Sequence, residues 1–227
     1  MQGANRHDKG QTARVCSKEA LMECNLLVGG QAGQGLASIE NELTDLLFRL
    51  GYHFFATKFY MSRIRGGHNE HLFRVAEEPV HALSGEPWDV VVGLDEETER
   101  LHRADLSAHG ICISIDGIRE IEKAAKEHFR NVKMSNNILV GLLLNVLGVT
   151  SENLGALVKE EEKMALLVAG MDFAERWKMA GRFALMPRAV NTLKFDGNSA
   201  LGFGALLGGC QFVAGYPMTR PHRCRCI

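Results

Sequence analysis

A short apolar run, Leu26-Leu27-Val28, passes directly into Gly29-Gly30-Gln31-Ala32-Gly33-Gln34-Gly35, after which apolar residues recur at helical spacing: Leu36, Ile39, Leu43, Leu46, Leu47 and Leu50. A glycine-rich turn between a strand and a helix limits the fold more than any other feature of the chain, because it needs backbone conformations open to few other residues. Gly51 is placed to end the helix as its C-cap, and a second strand is predicted over 52–57. Residues 25–57 therefore read as a strand-loop-helix-strand unit with two parallel strands.

Further strands are predicted over 71–75, 90–94 and 111–115, with a helix over 96–105 between the last two. This alternation is that of an α/β fold, a mostly parallel sheet flanked by helices. From residue 120 the pattern is helical, over about 120–129, 136–147, 152–169 and 172–181, which predicts a C-terminal helical subregion. The 138–147 stretch is apolar nearly all round and is expected to be buried.

Glycine is also where composition departs from average, at 24 of 227 residues, or about 11% against a usual ~7%. Ten glycines fall in two windows, 29–35 and 197–215. The second follows a segment around Pro187, residues 183–196, that reads as a linker. The residues after 197 are too few to bury a core of their own.

Charge is uneven. Residues 22–187 hold 17 Lys and Arg against 24 Asp and Glu, whereas both ends are basic. A nucleic-acid-binding core would concentrate bases on one face, so nucleic acid is not expected as a partner. No run reaches the ~18 apolar residues of a membrane span. Residues 1–21 lack periodicity and a signal-peptide core, so they are expected to be a disordered leader and the protein to be cytoplasmic. The six cysteines, at 16, 24, 112, 210, 224 and 226, contain no C-x-x-C, so no iron–sulfur site is expected on this chain.

Two segments carry candidate chemistry. At the glycine loop, backbone N–H groups and the positive end of the helix dipole favour a phosphate or another anion. The dinucleotide fingerprint is met only in part, by Gly33 and Gly35 with Ser38 in the third place, and Lys58 stands where a NAD-binding fold would present an acid. The second segment runs from Lys58 to Asn69. If it is extended, Arg63 and Arg65 point the same way and form a fork suited to phosphate or carboxylate. A tight packing turn and exposed surface charges are the alternatives for the two segments. His68 and His71, three apart on a strand, should face opposite sides, so no metal site is expected there. Asp95 is placed to cap the helix that begins at Glu96.

The run from Leu26 to Gly35, the Gly51-Tyr52-His53 turn, and Tyr60 to Arg63 with Arg65, Gly66, Gly67 and Asn69 together resemble the gamma domain of 2-oxoacid:ferredoxin oxidoreductases. Pro87-Trp88-Asp89 and the later helices follow the same pattern. Near the end, Gly197-Asn198-Ser199-Ala200, Gly204-Ala205, Gly209-Cys210 and Tyr216-Pro217-Met218-Thr219 are similar to the opening of the alpha subunit of the same enzymes, its pyrimidine-type thiamine diphosphate domain.

The resemblance implies a leader over 1–21, a gamma-type domain over 22–182, a linker over 183–196 and the start of an alpha domain over 197–227, cut short after Thr219. It implies a part in thiamine diphosphate-dependent oxidative decarboxylation of a 2-oxo acid, of the 2-oxoglutarate type, to acyl-coenzyme A, with electrons passed to an iron–sulfur cluster and ferredoxin. Thiamine diphosphate and the cluster would be held by the full complex with a beta-type subunit and not by this chain alone, which would be inactive in isolation. Thr219 would lie at the catalytic site. A phosphate-bearing partner such as coenzyme A would sit at Gly30, Gln31, Gly33, Gln34 and Gly35 with Arg63, Arg65, Gly66 and Gly67. The competing expectations are a non-enzymatic assembly subunit and a free-standing nucleotide-binding oxidoreductase, with Lys58, Arg63 and Arg65 on a 2′-phosphate.

Overall fold

The computed structural model describes residues 23–61, 67–129, 131, 134–189, 192–212 and 214. Arg63, Arg65, Gly66 and Thr219, with residues 1–22, lie outside the described residues.

Five strands form one sheet in the order β2-β3-β1-β4-β5: β1 Glu23–Gln31, β2 His53–Tyr60, β3 His68–Ala76, β4 Trp88–Gly93 and β5 Leu106–Ile113. β1 and β4 pair in parallel, as do β4 and β5, whereas β3 is antiparallel to both β1 and β2. Four strands thus share one direction. The expected parallel relation of the first two strands holds, but they are not neighbours. β3 lies between them, because the short connection after β2 suits an antiparallel return, whereas a parallel one would need a long crossover.

One face of the sheet, with Leu26, Val28, Phe73, Val75, Val90 and Val92, packs in the main core with α1 (Leu36–Leu50), α3 (Ile115–Phe129), α4 (Ser135–Val146) and α6 (Glu161–Arg176). α4 is buried on nearly every side, as its uninterrupted apolar character requires. The other face carries a smaller cluster of Leu27, Trp88 and Val91. The short helix α2 (Glu96–His102) lies over the end of β1 on that side, and its Thr98 leaves no room for a Cβ at Gly29.

The C-terminal helices differ from the expected boundaries. The chain breaks after α5 (Ser151–Gly155), and α6 then runs without interruption through Gly170. Gly170 is thus a contact residue and not a helix end: a Cβ there would overlap the backbone of Ile138. Beyond the linker, α7 (Gly197–Leu207) is capped by Asp196, whose carboxylate accepts from the Ser199 N–H at 2.7 Å. None of its residues is buried.

Candidate functional site

β1 extends through Gly29, Gly30 and Gln31, so the turn proper is only Ala32 to Gly35. Its shape comes from Gly33 and Gly35, whose φ values of 107° and 92° are in the left-handed region that disfavours a side chain. Gly30 serves packing instead: a Cβ there would come within 2.8 Å of Leu94 Cβ. Gln34 fastens the turn from within. Its Oε1 accepts from the Gln31 N–H at 2.6 Å, and its Nε2 donates to the Leu94 carbonyl at 2.9 Å. Gly67 anchors the far side, its carbonyl accepting from the Ala32 N–H at 3.0 Å.

Of the sequence-predicted residues, Gly30, Gln31, Gly33, Gln34, Gly35 and Gly67 therefore come together. Gly33 faces open space and Gly35 lies against the Asn136 amide at the cleft wall, whereas Gln34 and Gly67 make hydrogen bonds that hold the turn.

Gly35 is the N-cap of α1, with no side-chain cap and no acid in the first turn. α4 likewise begins at Met134 without a side-chain cap or an acid in its first turn. The two helix starts meet across a cleft of about 410 Å³ lined by Gly33, Gly35, Ser38, Ser135 and Asn136, with Glu122 of α3 at one wall. Unsatisfied N–H groups at both helix starts attract negative charge. α2 is different: Asp95 accepts from the Thr98 N–H at 2.9 Å and its hydroxyl at 2.7 Å, with Glu96 and Glu97 in the first turn. The expected cap is thus present, and this helix start is already neutralised.

Two polar clusters flank the turn, and His68 and His71 do face opposite sides. On the α2 side, His68 Nδ1 lies 3.3 Å from Asp95 Oδ2 and its Nε2 3.2 Å from Glu70 Oε1, an oxygen that His102 Nε2 also approaches at 2.8 Å. Burial pushes the Asp95 carboxyl up, but its bonds to Thr98 and His68 outweigh this and hold it below the usual range. On the α1 side, His71 Nδ1 lies 2.7 Å from Glu40 Oε2, and Lys58 Nζ 3.0 Å from the same oxygen. The Glu40 carboxyl is raised by burial yet lowered overall by His71 and Lys58. A second cavity of about 380 Å³ opens here, between Ala32, Gly33, Gly35, Tyr60, Asn69 and His71. Nothing in the sequence spacing signalled Glu40, since its partners are far along the chain.

The family model for pyruvate ferredoxin/flavodoxin oxidoreductase matches residues 25–176, which include the sheet, the glycine turn and both clusters. The chain belongs to this family. Among curated members of the oxidoreductase family, it is 21% identical to a Sulfolobus 2-oxoacid:ferredoxin oxidoreductase subunit alpha, over 87% of this chain and 40% of that one. The fold is shared with a 2-oxoglutarate:ferredoxin oxidoreductase from Magnetococcus marinus, solved with 2-oxoglutarate, coenzyme A and succinyl-CoA bound, at a TM-score of 0.66 and 19% identity, over 89% of this chain and 40% of that one. It is also shared with the gamma subunit of a keto/oxoacid ferredoxin oxidoreductase from Geobacter sulfurreducens, at a TM-score of 0.52 and 18% identity, over 68% of this chain and 97% of that one. The chain thus spans 40% of the length of the Sulfolobus relative.

Iron–sulfur ligation, a feature of ferredoxin-linked members of the oxidoreductase family, has no fit among the described residues. Cys24 is buried, Cys112 half-buried and Cys210 exposed, and no three His, Cys, Asp or Glu side chains are grouped to hold a metal ion. No helix among the described residues is long and apolar enough to cross a membrane.

Proposed function

We propose that this chain is a gamma-type domain joined to the opening of an alpha-type domain of a 2-oxoacid:ferredoxin oxidoreductase, of the 2-oxoglutarate type, working in the cytoplasm. The domains are 22–182 and 197–227, with the linker over 183–196 between them. The observation that carries the gamma assignment is the family match over 25–176. It is supported by the Geobacter gamma subunit, 97% of which is covered by this chain.

The apolar helix α7 supports the second domain. Leu201 is 75% exposed and Leu207 74%, and an apolar helix with no buried residue needs a further layer to pack against.

The glycine turn is the part of this chain that holds a ligand, a phosphate-bearing molecule of the coenzyme A type. Its two cavities share the uncapped start of α1, whose first turn carries no acid and attracts a phosphoryl group. Arg63 and Arg65 add charge to the same ligand in this reading, and Thr219 serves the substrate side. Thiamine diphosphate supplies the carbanion-stabilising chemistry of decarboxylation. That group, the cluster and ferredoxin belong to the complex with a beta-type subunit, so the isolated chain is inactive.

Copurification tests this assignment. Co-expression with a beta-type subunit is expected to give a complex carrying thiamine diphosphate, whereas failure to associate would contradict it. The assembly-only alternative draws support from Gln34 and Gly67, whose bonding is internal to the turn.

A further inference from the structure

The sheet ends in β2 on one side and β5 on the other, and the two edges are finished differently. An outer strand shows a row of unpaired N–H and C=O groups, a template for a further strand unless it is covered, bent or guarded by charge. At the β5 edge the guanidinium of Arg182 donates to the His109 carbonyl at 3.2 Å, and a register shift between Trp88 and Val90 interrupts the ladder with β4. At the β2 edge the first half, His53 to Ala56, is half-buried, and Lys194 to Ser199 face β2 across a cleft of about 730 Å³ whose β2 wall ends at Lys58.

The second half of β2 has none of these devices. Thr57 to Tyr60, and Met61 after them, are all exposed, and they include three large apolar side chains in succession: Phe59 at 57%, Tyr60 at 49% and Met61 at 63%. Successive residues of a strand point to opposite faces, so both faces carry apolar side chains here. The ladder with β3 runs in unbroken register to the pair Tyr60 and Asn69, with no proline in the strand. Lysine is the usual guard of an edge, yet Lys58 Nζ lies 3.0 Å from Glu40 Oε2, drawn toward α1 and off the edge.

We propose that this half-edge pairs with the same half-edge of a second copy of the chain, antiparallel about a two-fold axis through Phe59, so that the two sheets join into one. The sequence is self-complementary in that register. Phe59 meets Phe59 of the second copy as an aromatic pair, Lys58 meets Tyr60, and Thr57 meets Met61. No like charges stand opposite each other, since Lys58 is the only charge from Thr57 to Met61. Met61 of the second copy thereby arrives at Thr57, on the wall of the cleft that Phe55 also lines with the 46% exposed Phe195. An unrelated strand would use the same backbone groups, so the side-chain register is what selects a second copy.

Sedimentation velocity of the full chain from about 1 to about 100 µM tests the proposal. The stretch Thr57 to Met61 makes a small interface, so self-association in the micromolar range is expected. Phe59→Lys sets two like charges against each other at the axis and should weaken association about tenfold or more, and Phe59→Glu should do the same. An equimolar mixture of the two variants should recover it, because a two-fold contact through position 59 brings the positive charge of one copy to the negative charge of the other. Phe59 is exposed, so both variants should keep the circular dichroism of the wild type. A wild type that stays monomeric across the range overturns the proposal. Association that both variants leave unchanged also overturns it and assigns the contact to another surface, such as the exposed helix α7. Weakened association in each variant with no recovery in the mixture overturns the two-fold register.

Discussion

Gly170 of α6 lies so close to Ile138 of α4 that a Cβ on it would overlap the Ile138 carbonyl oxygen. Gly141 of α4 meets the Leu167 backbone in the same way. Two glycines on facing helices thus let the backbones touch at the centre of the core. Neither carbonyl can withdraw as a flexible side chain would. Gly170→Ala and Gly141→Ala are each expected to lower stability by at least about 1–3 kcal/mol, as overpacking does, despite the better helix propensity of alanine. Urea unfolding followed by circular dichroism checks this. Unchanged or raised stability in both would contradict the close approach.

Gly35 combines a φ of 92° with a side-chain neighbour, the Asn136 amide, in the space a Cβ would take. Gly35→Ala should destabilise the chain by about 1–3 kcal/mol through backbone strain. It should also weaken coenzyme A binding about tenfold by moving the α1 amides off the ligand. Thermal unfolding and calorimetry on one preparation separate the two effects.

Asp95 ties the start of α2 to Thr98 and His68. Asp95→Ala should cost about 1 kcal/mol, the ordinary worth of an N-cap. Its carboxyl is lowered in the folded chain, so this stabilisation is present above its unfolded pKa of about 3.9 and is lost as pH falls through the folded value. The stability gap between wild type and Asp95→Asn should therefore be full at about pH 6 and shrink in acid below about pH 4. A gap that widens in acid would contradict the assignment.

Cys24 lies in the sheet core, where burial, and then the Asp89 charge, push its thiol well above the usual range. Burial and Glu99 raise Cys112 as well. Thiol labelling with peptide mapping should modify Cys210 in the native protein, with Cys24 labelled only on unfolding. Native labelling of Cys24 as fast as Cys210 would contradict its place in β1.

The repeating local patterns made much of this fold legible. The apolar spacing of Leu36 to Leu50 with Gly51 behind it marked α1 to the residue, and Asp95 before two glutamates marked the cap of α2. What escaped was whatever depends on distant partners. The insertion of β3 between β1 and β2 rests on its antiparallel pairing with both, and local spacing does not encode which strands pair. The boundary expected between 169 and 172 is absent, and the Ile138 backbone that requires a glycine at 170 inside the helix lies elsewhere in the chain. The candidate site was legible where one segment builds it, at Gly33 and Gly35. It was hidden where three segments meet, at Glu40, Lys58 and His71. The internal bonds of Gln34 could not be read from its type, since an amide beside a glycine turn serves a ligand or the turn equally well.

The claim at the centre of this account is that the glycine turn holds a phosphate-bearing ligand of the coenzyme A type. Titration calorimetry of the wild-type chain with coenzyme A, NADPH and ATP tests it most directly. The account predicts saturable binding of coenzyme A, tighter than that of either nucleotide and weakened in Gly35→Ala. Absence of binding to all three would contradict it and leave the turn a packing element of an assembly subunit.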